Sequence, residues 1–517
     1  MLKSKLGSNL ITLVFGLLIL STMSALLVGS SSMTQPSFAQ TENGPSSTAN
    51  STDTAIAPTL PSPGGSDQSQ LPMQNGFSVL ILATNFSAPH NILYGPDGAL
   101  WITERLGKNI TRVDPTNGSK LSTMEVPDVW QSEGQDGLMG MAFDPDFNNT
   151  NYIYVAYTYA GEVGDDVDRR TKITRFTYDP ATSTIGEPFD LISGLHASVD
   201  HNSGRMTFGP DGMLYYTIGD QGNNQLSRYC FDIQAQELPT AEEVAAQNWG
   251  TYQGKVLRMN PDGSIPEDNP EINGVRSHIF TYGHRNPQGL EVGPNGDLYV
   301  AEHGPSADDE VSRLQPGGNY GWPYVSGLQD GQAYQYVNWS AAENCEELEY
   351  DNLPPHPPQV PVMNESEFDA ENFVEPIATF YTVGNDYNFT DHDCGQLAYV
   401  CNPTVAPSSL DFYTSDVILD WNGTFLMTTL KAGRIFHLTL NENGTELAQQ
   451  PEELFRSENR YRDLAFDPGG STIYVITDSF GPAQNIEGGA TNDLWTPGSL
   501  IAFTYEGAGN SSTTTVQ

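Results

Sequence analysis

Positive charge is what this chain has least of. Its 517 residues hold 22 Lys and Arg against 64 Asp and Glu, so the formal net charge is −42 although charged residues are only 17% of the chain. Without a basic face the chain is poorly suited to grip nucleic-acid phosphates or to dock electrostatically on anionic lipid. Such an acidic balance suits a soluble protein in a salty or extracellular setting; it speaks to solubility and not to fold. Cysteine is also scarce, with 4 residues. They form no CxxC pair and no Cys/His cluster at zinc spacing. Walker A, GxGxxG and GxSxG patterns are missing, which leaves nucleotide cofactors and α/β-hydrolase chemistry without support. Long amphipathic helical patterns are missing too. Gly at 50 residues, Pro at 35 and aromatics at 10% give instead a turn-rich globular composition.

One long apolar run exists, Leu10 to Gly29, behind Lys3 and Lys5 and ahead of Ser37-Phe38-Ala39. Residues 1–39 therefore read as an export signal, with a retained membrane anchor as the alternative. Residues 40–72, rich in Ser, Thr, Pro and Gly, read as a flexible linker, and 507–517 as a flexible tail. That leaves 73–506 as the folded domain. Sequons at Asn50, Asn85, Asn109, Asn338, Asn388 and Asn443 fit an exported chain. In that setting Cys394 and Cys401 could close a small disulfide loop, while Cys230 and Cys345 could pair or stay free.

The chain repeats itself. GPDGALWIT from Gly95, DPDFNNTNYIYVAYT from Asp144, GPDGMLYYTI from Gly209, GPNGDLYVAE from Gly293, DWNGTFLMTT from Asp420 and DPGGSTIYVIT from Asp467 share one pattern. Each is a turn signal followed by a β-branched and aromatic strand. Short apolar strands precede several of them, at Asn91–Tyr94, Met206–Phe208 and Leu464–Phe466, so each unit contains a hairpin. Six such units predict an all-β chain: a six-bladed β-propeller of four-stranded antiparallel blades. Polar residues follow the repeated strands at a similar phase: Glu104, Arg105, Asp220, Glu302, His303, Lys431 and Asp478. Taken singly each fits a blade-closing role; their shared phase points to a common site at one mouth of the channel.

Three stretches are more polar than structure requires. In 199–225, His201 stands beside Asp200, and Asp220 opens the loop that ends in Gln225; a His next to a carboxylate can serve as a general base near neutral pH. In YGHRNPQG, Arg285, Asn286 and Gln288 crowd a short turn that suits a planar or anionic group. In 301–330, Asp308, Asp309, Glu310 and Asp330 lie in Gly- and Pro-rich loops, an oxygen-rich setting of the kind Ca²⁺ takes, though not at EF-hand spacing. Arg460 and Arg462, two apart in NRYRD, share a strand face. With Lys431 and Arg285 they would make a cationic pocket in an acidic protein, a seat for a polycarboxylate cofactor.

These stretches closely resemble the soluble pyrroloquinoline quinone (PQQ) dehydrogenases of the glucose/sorbosone dehydrogenase family. GQDGLMGMAF, DHNSGRM, YYTIGDQGNNQ, GKVLRMNPDGSIPEDNP, GHRNPQGL, GGNYGWP, CNPTVAPSS and NRYRD match in order between about Phe77 and Thr504. The family is a six-bladed propeller. The resemblance implies that Gln135, His201, Arg285, Asn286, Lys431, Arg460 and Arg462 contact PQQ, and that the carbonyls of Gly304 and Pro305 bind the Ca²⁺ that also ligates it. It places further, structural Ca²⁺ at Glu310, Tyr320, Ser326, Leu328, Asp330 and Glu365, with Tyr320, Ser326 and Leu328 acting through carbonyl oxygens. It puts Asp200, Asp220, Gln225, Tyr399 and Asn402 at the sugar site and pairs Cys394 with Cys401. His201, Asp220 and Arg285 are the catalytic candidates for oxidation of an aldose at C1 to the lactone.

The electrons would pass to an external acceptor: a quinone, a cytochrome or a small copper protein. A homodimer is compatible with all of this. Two positions depart from the soluble glucose enzymes, which carry Trp where this chain has Asn402 and Gln where it has His303. Asn402 removes an aromatic face from the sugar pocket. The rival readings are a Ca²⁺-dependent propeller lactonase and a non-catalytic binding propeller. The first has no use for the Lys431/Arg460/Arg462 cluster, and the second does not need His201 together with it.

Overall fold

The computed structural model of the chain describes residues 71–163, 167–390 and 394–507. The export signal expected over 1–39, and all of the linker and tail but Leu71, Pro72 and Gly507, lie outside the described residues.

Each of the six repeats forms the second strand of a four-stranded antiparallel sheet, and there are six such sheets. The local chemistry is visible in the turns. Gly98 and Gly212 take φ of 78° and 75°, the left-handed region that a Pro-Asp-Gly turn needs. The first glycine of the motif does something else. A Cβ on Gly95, Gly209 or Gly293 would lie 2.6 Å from a side-chain atom of Trp101, Tyr215 or Tyr299, respectively. It makes room for the aromatic ring six residues on. In the first unit that ring is also tied down, with Trp101 Nε1 donating to Asp97 at 2.9 Å.

Blade 1 runs outward from Pro89–Tyr94 through Leu100–Glu104 and Asn109–Val113 to Lys120–Glu125. Blade 2 runs from Leu138–Phe143 to Thr184–His196, and blade 3 from Met206–Phe208 to Ile279–Tyr282. Blade 4 runs from Pro287–Val292 to Ala378–Phe380, and blade 5 from Asp411–Tyr413 to Glu452–Leu454. Blade 6 mixes the two ends of the domain. Tyr461–Phe466, Thr472–Thr477 and Leu500–Tyr505 are completed by the N-terminal strand Phe77–Ala83, in register Phe77 with Tyr505 and Ile81 with Ile501. This closes the ring and covers what would be an open edge.

Six apolar clusters fill the spaces between neighbouring blades. Trp101 and Ile110 meet Met141 and Val155 between blades 1 and 2, and Phe425 and Met427 meet Tyr299 and Val311 between blades 5 and 4. Strands such as Leu100–Glu104, Leu214–Ile218 and Thr424–Thr428 are buried along their whole length, because each sheet packs on both faces. Among the described residues α-helix is confined to Phe147–Thr150 and Ala241–Ala245, and no helix is long and apolar enough to cross a membrane.

Between the third and fourth strands of blade 4 lies an insertion, 314–377. It carries its own hairpin, Gln335–Val337 with Val362–Asn364, and small clusters around Trp322 and Trp339. A disulfide between Cys230 and Cys345 staples it to the loop after Asp220, and Cys394 pairs with Cys401, so no described cysteine is free.

Candidate active site

In an antiparallel blade the turn from second to third strand and the connection from the outer strand to the next blade fall at the same end. Most of the polar residues singled out from the sequence occupy these two kinds of segment; Asp309 and Glu310 instead open the third strand of blade 4, and Tyr320, Ser326, Leu328, Asp330 and Glu365 lie in its insertion. Gln135 precedes blade 2, Asp200 and His201 precede blade 3, Arg285 and Asn286 precede blade 4, and Tyr399 and Asn402 precede blade 5. Asp220, Gly304, Pro305 and Lys431 follow second strands, while Arg460 and Arg462 open the inner strand of blade 6. The repeat therefore delivers them to one mouth of the channel.

His201 is buried, and its backbone sits at φ 46°, an uncommon region for a residue with a Cβ. Gly219 permits this, since a Cβ there would lie 2.2 Å from the His201 carbonyl. His201 Nδ1 and Asp220 Oδ1 are 2.7 Å apart. Asp220 also accepts from the backbone N–H of Gly222 at 2.9 Å and from the indole of Trp322 at 2.8 Å. With Nδ1–H given to Asp220, Nε2 keeps its lone pair. The amide nitrogen of Gln225 lies 3.3 Å from Nε2, and the Gln225 oxygen accepts from Arg285 Nη2 at 2.9 Å. Arg285 can only donate, so this contact fixes the amide orientation and makes His201 Nε2 the acceptor. Gln135 and Gln225 both donate to Asp200, the latter at 3.5 Å.

The cationic side of the mouth is connected to this dyad. Ser203 and Gln288 each donate to Asn286 Oδ1 at 3.0 Å, and Arg462 reaches Gln288 at 3.4 Å and Asp478 at 2.7 Å. Arg460 Nε lies 3.5 Å from the same Asp478 oxygen, so the two arginines do share a face. Buried nitrogens here lack a hydrogen-bond partner: Nε of Arg285 and of Arg462, and Nδ2 of Asn286. Unsatisfied buried donors are rare and costly. Their concentration at one mouth fits a multiply anionic ligand. Lys431 is spoken for in this structure: its ammonium donates to the Asn402 carbonyl at 2.8 Å, to the Tyr399 carbonyl at 3.4 Å and to the Thr404 hydroxyl. Burial pushes its pKa down to about 8, against the pull of Asp309.

Two residues not assigned to the cofactor from the sequence also face this region. His90 and Arg105 line a small cavity in the channel with Gln135, Ser203, Gln288 and Arg462. Burial holds the His90 ring well below its usual pKa, with Arg462, Arg105 and Arg205 adding to the effect. Arg105 shares the repeat phase, which was its signal in the sequence; His90 carries none. Glu104 and Glu302, which share that phase, are structural: Glu104 accepts from Ser87 N at 2.7 Å, and Glu302 from Arg285 N at 2.8 Å.

The acidic loops gather beside the mouth. Asp309 accepts from the backbone of Gly304 at 2.8 Å and of Val405 and Ala406 at 2.6 Å, which fixes the Gly304-Pro305 segment. Glu365 is buried and accepts from Ser326 N at 3.1 Å and Gly331 N at 3.0 Å. Burial, with acidic neighbours adding, pushes Asp308 and Glu365 up to about 7 and Glu310 well above its usual value. The Tyr320 hydroxyl donates to the Arg313 carbonyl at 2.8 Å, which leaves only its carbonyl for a ligand role. The Leu328 carbonyl accepts from Asp330 N at 2.8 Å, and Asp330 is exposed. Among the described residues no three His, Cys, Asp or Glu side chains converge as a metal centre, so an ion here would lean on main-chain oxygens.

Comparison with known proteins shows the family. Residues 86–352 and 380–484 match the glucose/sorbosone dehydrogenase family. The chain is 46% identical over 437 residues to quinoprotein glucose dehydrogenase B of Acinetobacter calcoaceticus, covering 83% of this chain and 91% of that protein. It is 26% identical to an aldose sugar dehydrogenase of Escherichia coli (strain K12), over 78% of this chain and 90% of that one. Among solved structures, the PQQ-bound aldose sugar dehydrogenase of Streptomyces coelicolor superposes with a TM-score of 0.55 at 25% identity, over 83% of this chain and 99% of that one. The chain belongs to the glucose/sorbosone dehydrogenase family.

Proposed function

We propose that this family member is an exported, PQQ- and Ca²⁺-dependent aldose dehydrogenase that oxidises the sugar at C1 to the lactone and passes the electrons to an external acceptor. The observation that carries the reading is the His201–Asp220 pair, 2.7 Å apart, set among buried cations with unpaired N–H groups. Arg285, Asn286, Arg460 and Arg462, with Lys431 and Gln135, would hold the carboxylates and carbonyls of PQQ. The carbonyls of Gly304 and Pro305, fixed by Asp309, would face the ion. Bound there, PQQ supplies the two-electron acceptor for the C1 hydride, and Ca²⁺ the Lewis acid on its quinone.

The chain's own groups do the rest. The sugar C1 hydroxyl replaces the Gln225 amide at His201 Nε2 and gives that nitrogen its proton as the hydride leaves. Asp220 keeps the ring in the tautomer that can accept and stabilises the imidazolium that forms. Asp200, Gln225 and Tyr399 would hold the remaining hydroxyls. Export is supported by the two disulfides.

The test is His201→Ala. It should still bind PQQ and, with cofactor saturated, lose about 10²–10⁴ in turnover, the usual worth of a general base. Wild-type turnover in that variant with cofactor saturated would refute the reading.

A further inference from the structure

We propose that Trp322, on the blade 4 insertion, is a positioning residue for the reaction: its indole N–H holds Asp220 and its ring face holds Arg285, so that one side chain sets both sides of the proton-accepting site. The inference rests on the reading of His201 as the base. Its geometric ground is a closed ring of five side chains. Asp220 Oδ1 meets His201 Nδ1 at 2.7 Å, His201 Nε2 meets the Gln225 amide at 3.3 Å, and Gln225 Oε1 accepts from Arg285 at 2.9 Å. The Arg285 guanidinium lies 5.3 Å from the Trp322 ring centre, and Trp322 Nε1 donates to Asp220 Oδ2 at 2.8 Å. Each contact is of ordinary length, and the ring of contacts spans blade 3, the turn into blade 4 and the insertion.

Trp322 is itself held on several sides. Its backbone N–H donates to the Gly283 carbonyl at 3.0 Å, its carbonyl accepts from Gln236 at 2.8 Å, and Tyr334 packs on the indole at 5.9 Å between ring centres. A buried indole with its N–H satisfied is a rigid donor. Asp220 thus has a fixed acceptor geometry on Oδ2, which leaves Oδ1 directed at Gly222 N and His201. Without the indole N–H the carboxylate would concentrate its charge on Oδ1 and could rotate about its bond. The first effect favours the imidazolium form of His201; the second loosens the aim of Nε2. The other ionisable groups around the His201 ring are Asp200, 3.9 Å from Nε2, and His303, with Arg285 and Arg228 beyond them. Among these polar groups the substitution touches only Asp220 and Arg285, and a phenyl ring at 322 would keep the face against Arg285 and the packing on Tyr334.

Trp322→Phe should therefore bind PQQ normally, keep KM within about twofold and lose about 10–100-fold in kcat. The acid limb of its kcat/KM profile should move to higher pH. In an Asp220→Asn background the same substitution should change kcat little. A rise in KM without loss of kcat, or an equal loss in both backgrounds, overturns the proposal. A readout without turnover separates this from failure of the functional reading: in apoprotein, the NMR signal of the His201 Nδ1–H given to Asp220 should move or broaden in Trp322→Phe, and an unchanged signal overturns the proposal whether or not the parent oxidises sugars. Should Trp322→Phe not fold, the wild type still decides. The Trp322 indole N–H resonance should move with pH in step with the His201 ring and cease to do so in His201→Ala; an indole signal indifferent to pH overturns the assignment.

Discussion

Replacing Asp463 with Ala should destabilise the whole ring of blades, because this one carboxylate is linked to all of them, directly or through Arg205 and Asn91. Asp463 lies on the inner strand of blade 6, wholly buried. It accepts from Arg205 Nη1 and Nη2 at 2.7 Å each, from Asn91 Nδ2 at 2.6 Å and from Ile92 N at 2.7 Å. Arg205, at the start of blade 3, also reaches the Gln288 carbonyl of blade 4 and the Ser408 carbonyl ahead of blade 5, both at 3.3 Å. Asn91 of blade 1 accepts from Met141 N of blade 2 at 2.8 Å. Burial alone would lower the Arg205 pKa; Asp463 more than restores it. Asp463→Ala leaves a buried guanidinium and a buried backbone N–H without their acceptor. Breaking one partner of a buried pair costs about 3–5 kcal/mol. With a urea m value of about 3 kcal/mol per M, the apoprotein midpoint should fall by roughly 1–1.7 M. Asp411 and Glu291 stand near enough to be felt electrostatically and would take over part of the counter-charge, which favours the lower end. Arg205→Met combined with Asp463→Leu should recover at least half of the loss, since both desolvation costs then vanish. A midpoint for Asp463→Ala within about 0.2 M of the parent would refute the reasoning, as that is the scale of an uninvolved surface substitution.

Three further expectations follow from the site. Lys431, with a pKa lowered to about 8 by burial, must be protonated to hold an anionic cofactor, so PQQ affinity should be level below pH 8 and weaken above it, and Lys431→Met should bind more weakly with that dependence gone; equilibrium titration of apoprotein across pH checks this. The same shift has a stability sign: the folded pKa lies below the unfolded value, so the cost of charging Lys431 is fully present below about pH 8 and fades as pH rises towards 10.5. Chelation should abolish dye reduction and lower the melting temperature together, because an ion bound only by the folded state stabilises it by mass action; protein treated with EDTA that keeps both would contradict the calcium assignment. Asn402→Trp should lower KM for at least one hexose and leave PQQ binding unchanged, because an indole supplies the apolar face that Asn cannot; a parent enzyme already selective for glucose with a low KM would mean another loop provides that surface.

The repeat was legible because its signals are local. Pro-Asp-Gly sets backbone angles over four residues, and the Gly95–Trp101 spacing repeats at Gly209–Tyr215 and Gly293–Tyr299 because each hairpin solves the same packing problem. Six such hairpins imply six blades, and antiparallel order then sends every second-strand end to one mouth. So the phase of Asp220, Lys431 and Asp478 could be read before any coordinates. The inner strand Met206–Phe208 has the bounds its sequence suggests, while those that the apolar pattern places from Asn91 and Leu464 begin at Pro89 and Tyr461, because the polar His90, Arg462 and Asp463 facing the channel interrupt that pattern.

What no window of sequence contained are contacts between distant segments. The closing strand Phe77–Ala83 pairs with a strand more than 400 residues away, and nothing in its own seven residues names that partner. Cys230 could have paired or stayed free until the insertion folded back and brought Cys345 beside it. Trp322 reads in the chain as one more apolar residue of GGNYGWP; only the return of that insertion over blade 3 turns its N–H onto Asp220, 102 residues away in sequence. The local rules act through neighbouring dihedrals and side-chain periods, which a short stretch of chain fully specifies. The closure of the ring, the second disulfide and the support of the catalytic pair depend on where the blades place far-separated segments, and that is a property of the packed ring alone.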